Sequence, residues 1–309
     1  MRLRVRAILA AALAVLAGLA VPPAPASAAE LRPFTALHWN VSGWVQHRNS
    51  TTDGLVDKIA SAITSKDADF AGLNEICWDQ YQAVLGKLAD AGWPDTKNFA
   101  RFEINMDTGI CGGKPFGMAL FSKAALGTAT GYQLEPQNSA EPLVDRKLLC
   151  APVTGRKLRY CVTHITPDSA AHPEFNAGQI DHARRIVDDF LNAGETVVTA
   201  GDFNVTPGAG RLDGWYSPTI DTPYNSGNVG RHVEMDDQYS VCPGFGRSTS
   251  NVNPPGACDT AQKIDMIFVS VGNEELVGCY EAGVLQPICK DGEFCSDHQV
   301  LWGSGTLLS

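Results

Sequence analysis

The sequence predicts an α/β (α+β) fold in which two packed mixed β-sheets carry helices on their outer faces. Three observations predict it. Short strand-like runs outnumber amphipathic helical stretches. The helical stretches fall between strands in chain order, as crossovers do, while other strands follow one another closely, as hairpins do. Several runs also end in Asn, Glu, His or Asp, as a strand does when it delivers a polar side chain to the rim of a sheet.

Phe34 to Val41 alternates as a strand. Thr52-Asp53-Gly54 opens a helix whose Leu55, Ile59, Ala62 and Ile63 share one face. Asp69 to Leu73 is a short buried strand leading into Glu75, and Trp78 to Ala91 is a second helix closed by Gly92 and Pro94. Met118 to Ser122 is a strand. Leu148 to Val153 and Leu158 to Thr163 form a hairpin, with a two-residue type II′ turn expected at Gly155-Arg156. Pro152 speaks against that register, because a ladder position there lacks an N–H donor. Phe175 to Leu191 is a helix with Ile180, Ala183, Ile186, Val187 and Phe190 inward. Thr196 to Ala200, Lys263 to Ser270 and Gln299 to Gly303 are the remaining strands.

Residues 1–28 stand apart from this pattern. Arg2, Arg4 and Arg6 precede a continuous apolar stretch from Ala7 to Val21, and Ala26-Ser27-Ala28 offers small residues for cleavage. This is the pattern of a secretory signal peptide. The stretch is short for a membrane span of about 20 residues and a Pro-rich segment follows it, so a retained anchor is disfavoured. No linker, charge block or repeat divides residues 29–309, which are read as one domain, exported, monomeric and without a transmembrane segment.

The formal net charge of the whole chain is −10, and the leader holds three Arg and no acid, so the mature chain is more acidic still. That balance argues against a generally basic nucleic-acid surface. A metal brings its own positive charge, however, and Arg146, Lys147, Arg156, Lys157 and Arg159 cluster along the sequence, as a local basic patch or as a solvated hairpin. Nine cysteines in an exported chain imply disulfides and leave at least one thiol over. Local pairing joins Cys77 with Cys111, Cys150 with Cys161, Cys242 with Cys258, and two of Cys279, Cys289 and Cys295. A metal site from Cys289, Cys295 and His298 matches no standard zinc spacing.

The polar strand ends carry the chemistry. Glu75 leaves a buried strand, where an unpartnered carboxylate is expensive and a hard divalent cation is a natural partner. In Gly201-Asp202-Phe203-Asn204 the Gly permits close backbone approach. Asp202 can orient or deprotonate an attacking water, and Asn204 adds a neutral donor toward a phosphate oxygen. Asp265 can bond His298 and fix its tautomer. A second histidine, His164, ends the strand Leu158 to Thr163 and can protonate a leaving oxygen or neutralise phosphate charge. His38, His47, His172, His182 and His232 receive no role. No Gly-x-Ser-x-Gly, His-Glu-x-x-His or Walker loop occurs.

Trp39-Asn40-Val41, Leu73-Asn74-Glu75-Ile76, Val162-Thr163-His164-Ile165, Gly201-Asp202-Phe203-Asn204, Lys263-Ile264-Asp265-Met266-Ile267-Phe268 and Ser296-Asp297-His298 follow one another in this order. Together they resemble the endonuclease/exonuclease/phosphatase superfamily of metal-dependent phosphodiesterases, in its deoxyribonuclease I-like or sphingomyelinase-like branch. The resemblance spans roughly Phe34 to Gly303 and implies a four-layer α/β/β/α sandwich with a single catalytic domain. It implies that Glu75 is the principal metal ligand, with Asn40 beside the metal and the phosphate. Asp297 becomes the candidate ligand of a second metal. Asp265 and His298 become a dyad whose His is the general base, and Arg146 a residue near the phosphate. His164 is the residue that the abasic-site repair branch typically lacks. That branch also carries a Tyr where this chain reads Lys114-Pro115-Phe116-Gly117.

The expected activity is therefore hydrolysis of phosphodiesters with Mg²⁺, or with Ca²⁺ or Mn²⁺ in its place. The first-choice substrate is DNA, cut as by an endonuclease, with RNA second. A sphingomyelinase or phospholipase C-like enzyme acting on a phospholipid head group is the alternative, with Trp215, Tyr216 and Phe294 as candidate membrane-facing aromatics. The remote alternative is a catalytically silent binding module on the same scaffold.

Overall fold

A computed structural model of the chain describes residues 30–93, 98–107, 109–139, 143–250, 258, 262–270 and 275–308. The leader expected over 1–28 lies outside them.

The strands are β1 (Leu31–Asn40), β2 (Phe70–Cys77), β3 (Ala100–Met106), β4 (Phe116–Ser122), β5 (Thr130–Gln133), β6 (Lys147–Pro152), β7 (Leu158–His164), β8 (Thr196–Asp202), β9 (His232–Glu234), β10 (Asp265–Ser270), β11 (Glu275–Leu285) and β12 (Val300–Leu308). The helices are α1 (Leu55–Ser65), α2 (Trp78–Asp90) and α3 (Pro173–Asn192). The first sheet has the order β11-β12-β1-β2-β4-β3 and the second β5-β6-β7-β8-β10-β9. Each holds one parallel pair, β1–β2 joined through α1 and β7–β8 joined through α3; the other pairings are antiparallel.

Alternation along β1 explains the layering. Leu37 and Trp39, with Val41 just beyond, face α1 and α2 in one core. Phe34 and Ala36 face the second sheet in another. On the far side, Ile180, Ala183 and Val187 of α3 cover the outer face of β8 and β10. Leu55, Ile59 and Ile63 of α1 are fully buried, each contributing about 1.5–3 kcal/mol. The result is a four-layer α/β/β/α sandwich, and the C-terminal ends of its two parallel pairs lie at one rim, the usual place for a site in such sheets.

The structure departs from the sequence reading in places. β3, β5, β9 and β11 were not anticipated; all four are edge strands, and β3, β5 and β9 hold only three to seven residues. The hairpin register is as expected, with Cys150 opposite Cys161, but the turn differs. Arg156 N–H bonds the Val153 carbonyl and Val153 N–H bonds the Leu158 carbonyl. Gly155, at φ 77°, is thus the third residue of its turn and not the first of a type II′ pair. Pro152 is accommodated because Val153 makes the ladder bond, which puts Pro152 at a non-hydrogen-bonded position toward β7. Disulfides join Cys77–Cys111, Cys150–Cys161, Cys242–Cys258 and Cys289–Cys295, leaving Cys279 unpaired and exposed. The basic run is not a patch: Arg146 is buried, Lys147 pairs with Glu103, Arg159 pairs with Glu195 through two nitrogens, and Arg156 and Lys157 sit at the turn end of the hairpin.

Candidate active site

Each parallel pair ends in polar residues. β1 ends at Asn40, and its neighbour β2 carries Asn74 and Glu75. β7 ends at His164 directly beside Asp202 at the end of β8. The pairing of β2 with β4 shifts between Leu73 and Ile76, and Glu75 inside that bulge has φ 57°. A bulge re-aims a side chain that regular alternation would send elsewhere, and here it turns the Glu75 carboxylate to Asn40. Gly201 also meets a need of the sheet itself: a Cβ there would lie 2.5 Å from the Thr163 carbonyl oxygen of β7.

Asn40 Nδ2 donates to Glu75 Oε1 at 3.0 Å and to Asp202 Oδ2 at 3.1 Å. Its Oδ1 accepts from Ser42 N–H at 3.2 Å. Asp202 is held on both sides, its N–H bonded to Asn74 Oδ1 at 3.0 Å and its Oδ1 accepting from Asn204 N–H at 2.9 Å. Asn204, at φ 50°, sends one amide N–H to the Ile165 carbonyl at 3.0 Å. Two imidazoles face Asp202 Oδ2, with His164 Nε2 and His298 Nε2 each 3.6 Å away; His164 Nε2 is 3.9 Å from Glu75 Oε1. His298 Nδ1 is bonded to Asp265 Oδ2 at 2.9 Å. Arg146 and His164 are both nearly buried. Asp297, next to His298 in the chain, is exposed, its Oδ1 accepting from Gln46 Nε2 at 3.3 Å.

Burial dominates the electrostatics. It raises Glu75 above the usual carboxylate range, against the bond from Asn40. It pushes Asp202 up to about 7, although His298 pulls the other way. His164 is held well below the ordinary histidine range by burial and then by the charge of Arg146. Burial would raise Asp265 and lower His298, but the pair's mutual attraction and hydrogen bond reverse both: Asp265 is held low, and His298, drawn by Asp265 and Asp202, rises to about 10.

The donor set fits a hard divalent cation. Oxygen ligands suit Mg²⁺, Ca²⁺ and Mn²⁺, and the partly exposed carboxylate of Glu75 and the buried one of Asp202 converge on one amide. Ligand atoms of Asp202, Asp265 and His298 also lie within 4.8 Å of one another. Within that trio both Asp265 oxygens are already engaged by imidazoles, and Asp202 Oδ2 faces the Nε2 atoms of His164 and His298, which leaves Glu75 as the better ligand.

Asn40, Glu75, His164, Asp202, Asn204, Asp265 and His298 are thus brought together, with Arg146 and Asp297 at the margin. The sequence reading passed over four supporting residues. His38 bonds Asp265, Asn74 bonds Asp202, Thr249 Oγ1 accepts Asp265 N–H at 3.1 Å, and Ser296 Oγ accepts His298 N–H while donating to the Asn40 carbonyl at 2.7 Å. The sequence places His38 on the inward face of β1 with Asn40, but not its partner. His47 joins the loop after β1 to the segment carrying His298, with Nδ1 2.7 Å from Asp53 and Nε2 2.6 Å from the Cys295 carbonyl.

No curated protein matches the chain. Among solved structures, an endonuclease/exonuclease/phosphatase from Beutenbergia cavernae is 21% identical with a TM-score of 0.61, covering 89% of this chain and 72% of that one. The human Nocturnin catalytic domain with bound sulfate is 15% identical with a TM-score of 0.61, covering 90% and 97%. D. rerio TDP2 complexed with single strand DNA product is 17% identical with a TM-score of 0.58, covering 90% and 99%. These likenesses share the fold described above. The profile of the Endonuclease/Exonuclease/phosphatase family, whose enzymes are metal-dependent phosphodiester hydrolases, matches residues 37–298, and the chain belongs to that family.

Proposed function

We propose that this chain is an exported, monomeric, Mg²⁺-dependent phosphodiesterase that cuts nucleic acid, DNA before RNA, as an endonuclease. One observation carries the reading: Asp202 Oδ2 is faced at once by the Asn40 amide and by the Nε2 atoms of His164 and His298, with Glu75 on the same amide. A carboxylate, two imidazoles and an acidic cation ligand around one point are the groups that in-line attack of water on phosphorus requires. The D. rerio TDP2 neighbour, complexed with single strand DNA product, supports the choice of substrate. Four disulfides suit an oxidising compartment and support export.

In this reading Glu75 holds the cation, with Asn40 beside it and Asp297 available to a second. A cation held there would supply positive charge to the phosphate. Asp202 orients the water and takes its proton as the oxygen bonds to phosphorus. Asn204 fixes Asp202 through its backbone N–H and keeps a second amide N–H for a phosphate oxygen. The Asp265–His298 dyad presents Nε2 to the reacting centre, where it orients the water and stabilises the developing charge. His164 and Arg146 steady the phosphate as its bond to the leaving oxygen breaks. Positioning and charge neutralisation supply most of the barrier reduction.

The lipid reading loses two of its three aromatic candidates, because Trp215 and Tyr216 are fully buried; only Phe294 is exposed. The deciding experiment incubates the mature protein with supercoiled plasmid and, in parallel, sphingomyelin liposomes, under Mg²⁺, Ca²⁺ or EDTA, with His298→Ala as control. Metal-dependent nicking that disappears in the variant is the expected outcome. Phosphocholine release without nicking would transfer the protein to the lipid branch. Turnover of no phosphate ester would favour a silent binding module.

A further inference from the structure

We infer that His38 is a positioning residue for the Asp265–His298 dyad, holding Asp265 from behind so that His298 presents Nε2 to the reacting centre. The inference rests on the proposed phosphodiesterase reading. It begins with the alternation of β1. Phe34 and Ala36 face the second sheet, and His38 and Asn40 follow them on that face at two-residue steps. Asn40 reaches the front of the site, touching Glu75 and Asp202. His38, one step deeper, crosses the same gap to β10 and places Nε2 3.0 Å from Asp265 Oδ1. The opposite oxygen, Oδ2, lies 2.9 Å from His298 Nδ1. Asp265 is thus clasped between two imidazoles, one from each side, with no exposure of its own or of His38.

This arrangement does more than satisfy a buried group. A carboxylate accepts only, so His38 donates from Nε2, and its Nδ1 is left buried without a partner. The bond to Asp265 Oδ1 is therefore the polar anchor of this buried ring, and it runs from one sheet to the other. With Oδ1 tied to the first sheet, the carboxylate cannot rotate away from His298. The His298 ring is fixed in turn by its Nδ1 bond, and its N–H and carbonyl are held by Ser296 Oγ and Trp39 Nε1. The clasp also occupies both oxygens of Asp265, which keeps that residue out of the cation's ligand set and leaves it to the dyad.

The test compares His38→Gln, His38→Asn and His38→Leu. A glutamine carries its amide nitrogen about as far from the backbone as imidazole Nε2, whereas asparagine stops short. Turnover of bis(4-nitrophenyl) phosphate and of plasmid is measured with Mg²⁺. The low-field proton NMR signal of the hydrogen-bonded His298 ring is recorded on metal-free protein. His38→Gln is expected to retain kcat within about threefold and to keep the ring-proton signal. His38→Asn and His38→Leu are expected to lose about 10-fold or more in kcat with KM within about twofold, the scale of supporting-shell changes, and to lose or shift the signal. In an Asp265→Asn background, His38→Leu should have almost no further effect, because both substitutions act through one carboxylate. Two results would overturn the inference. One is a full His38→Leu loss persisting in that background. The other is His38→Gln as impaired as His38→Leu while both melt near wild type. Full turnover by Asp265→Asn alone would instead sink the dyad reading, and the ring-proton signal, read without substrate, would still decide whether His38 holds Asp265.

Discussion

Asn40 Nδ2 donates to Asp202 Oδ2 at 3.1 Å, a hydrogen bond that crosses from the first sheet to the second at the rim where the site lies. The same nitrogen reaches Glu75 Oε1 at 3.0 Å. One neutral amide therefore separates two carboxylates, Asp202 buried and Glu75 partly exposed, that would otherwise repel. Asn40→Asp replaces that donor with a third negative charge. The variant should melt well below wild type in EDTA and recover much of the difference in Mg²⁺, because a cation supplies the missing positive charge. Asn40→Ala should be less destabilised and much less responsive to metal. Both should lose about 10²-fold or more in turnover, the scale of removing one oriented donor. Melting curves with and without Mg²⁺ decide it; identical responses of the two variants would contradict this account of Asn40.

Lys263 and Glu234 are both buried, with Nζ 3.1 Å from Oε1. Asp236 lies 3.9 Å from the same ammonium and also pairs with Arg247. Glu234 further accepts Ile267 N–H at 3.2 Å, inside the strand that begins with Asp265. Lys263→Met leaves the carboxylate buried without its partner, and a loss of about 3–5 kcal/mol is expected. Lys263→Met combined with Glu234→Gln should recover most of that loss, since the amide still offers an acceptor to Ile267. Urea unfolding of the two variants measures the difference, and a double variant no more stable than the single one would refute the pairing.

Much of this was legible in the sequence because it depends on local pattern. β8 is β-branched and ends in Gly201-Asp202, so both the strand and its cargo could be read at once. The α1 face repeats every three or four residues, and four cysteine pairs lie at separations of 6 to 34 residues. What escaped reading depends on partners distant in the chain. His38 and Asp265 are 227 residues apart, and nothing near His38 announces a carboxylate opposite. The aim of Glu75 depends on a bulge against β4, where left-handed backbone at a Glu carries no local signature. The edge strand β9 holds three residues, too few for a period to emerge.

His232 is fully buried against Trp215 and Phe268, with Nδ1 3.0 Å from the Trp215 carbonyl and Nε2 without a partner. Burial lowers it from 6.5 to about 4. The unfolded chain therefore binds a proton that the folded chain refuses. Its contribution to stability is fully present above about pH 6.5, declines as pH falls toward about 4, and is level below that. The loss amounts to about 3 kcal/mol at most, taking 1.36 kcal/mol per unit. His232→Phe should keep the ring packing, and the Trp215 carbonyl retains the backbone N–H of residue 232 at 3.0 Å. The variant's stability should therefore fall less than wild type's between pH 7 and pH 4.5. Parallel acid-limb slopes in urea titrations would show that this histidine does not carry the effect.

Cys77 ends β2 two residues after Glu75, and its disulfide to Cys111 anchors a cluster with Trp44, Met106, Ile110 and Phe116. The bond closes 34 residues of chain, against 11 for Cys150–Cys161. Loop-closure entropy assigns about 4 kcal/mol to the first and about 3 kcal/mol to the second. Cys77→Ala with Cys111→Ala should therefore destabilise more than Cys150→Ala with Cys161→Ala. The two pairs should differ further in activity. Next to Cys77, Gln80 Oε1 accepts its N–H at 3.0 Å, and Gln80 Nε2 donates to the Gly43 carbonyl at 2.8 Å, tying this strand end to the loop after Asn40. Removing the first disulfide loosens the strand end that aims Glu75, so turnover should drop at temperatures where the variant remains folded. The second disulfide bridges the middle of β6 and β7, away from His164, and its loss should leave turnover near wild type. Turnover measured well below each variant's melting temperature separates the two effects, and equal turnover in both variants would rule out a role for the Cys77–Cys111 bond in holding Glu75.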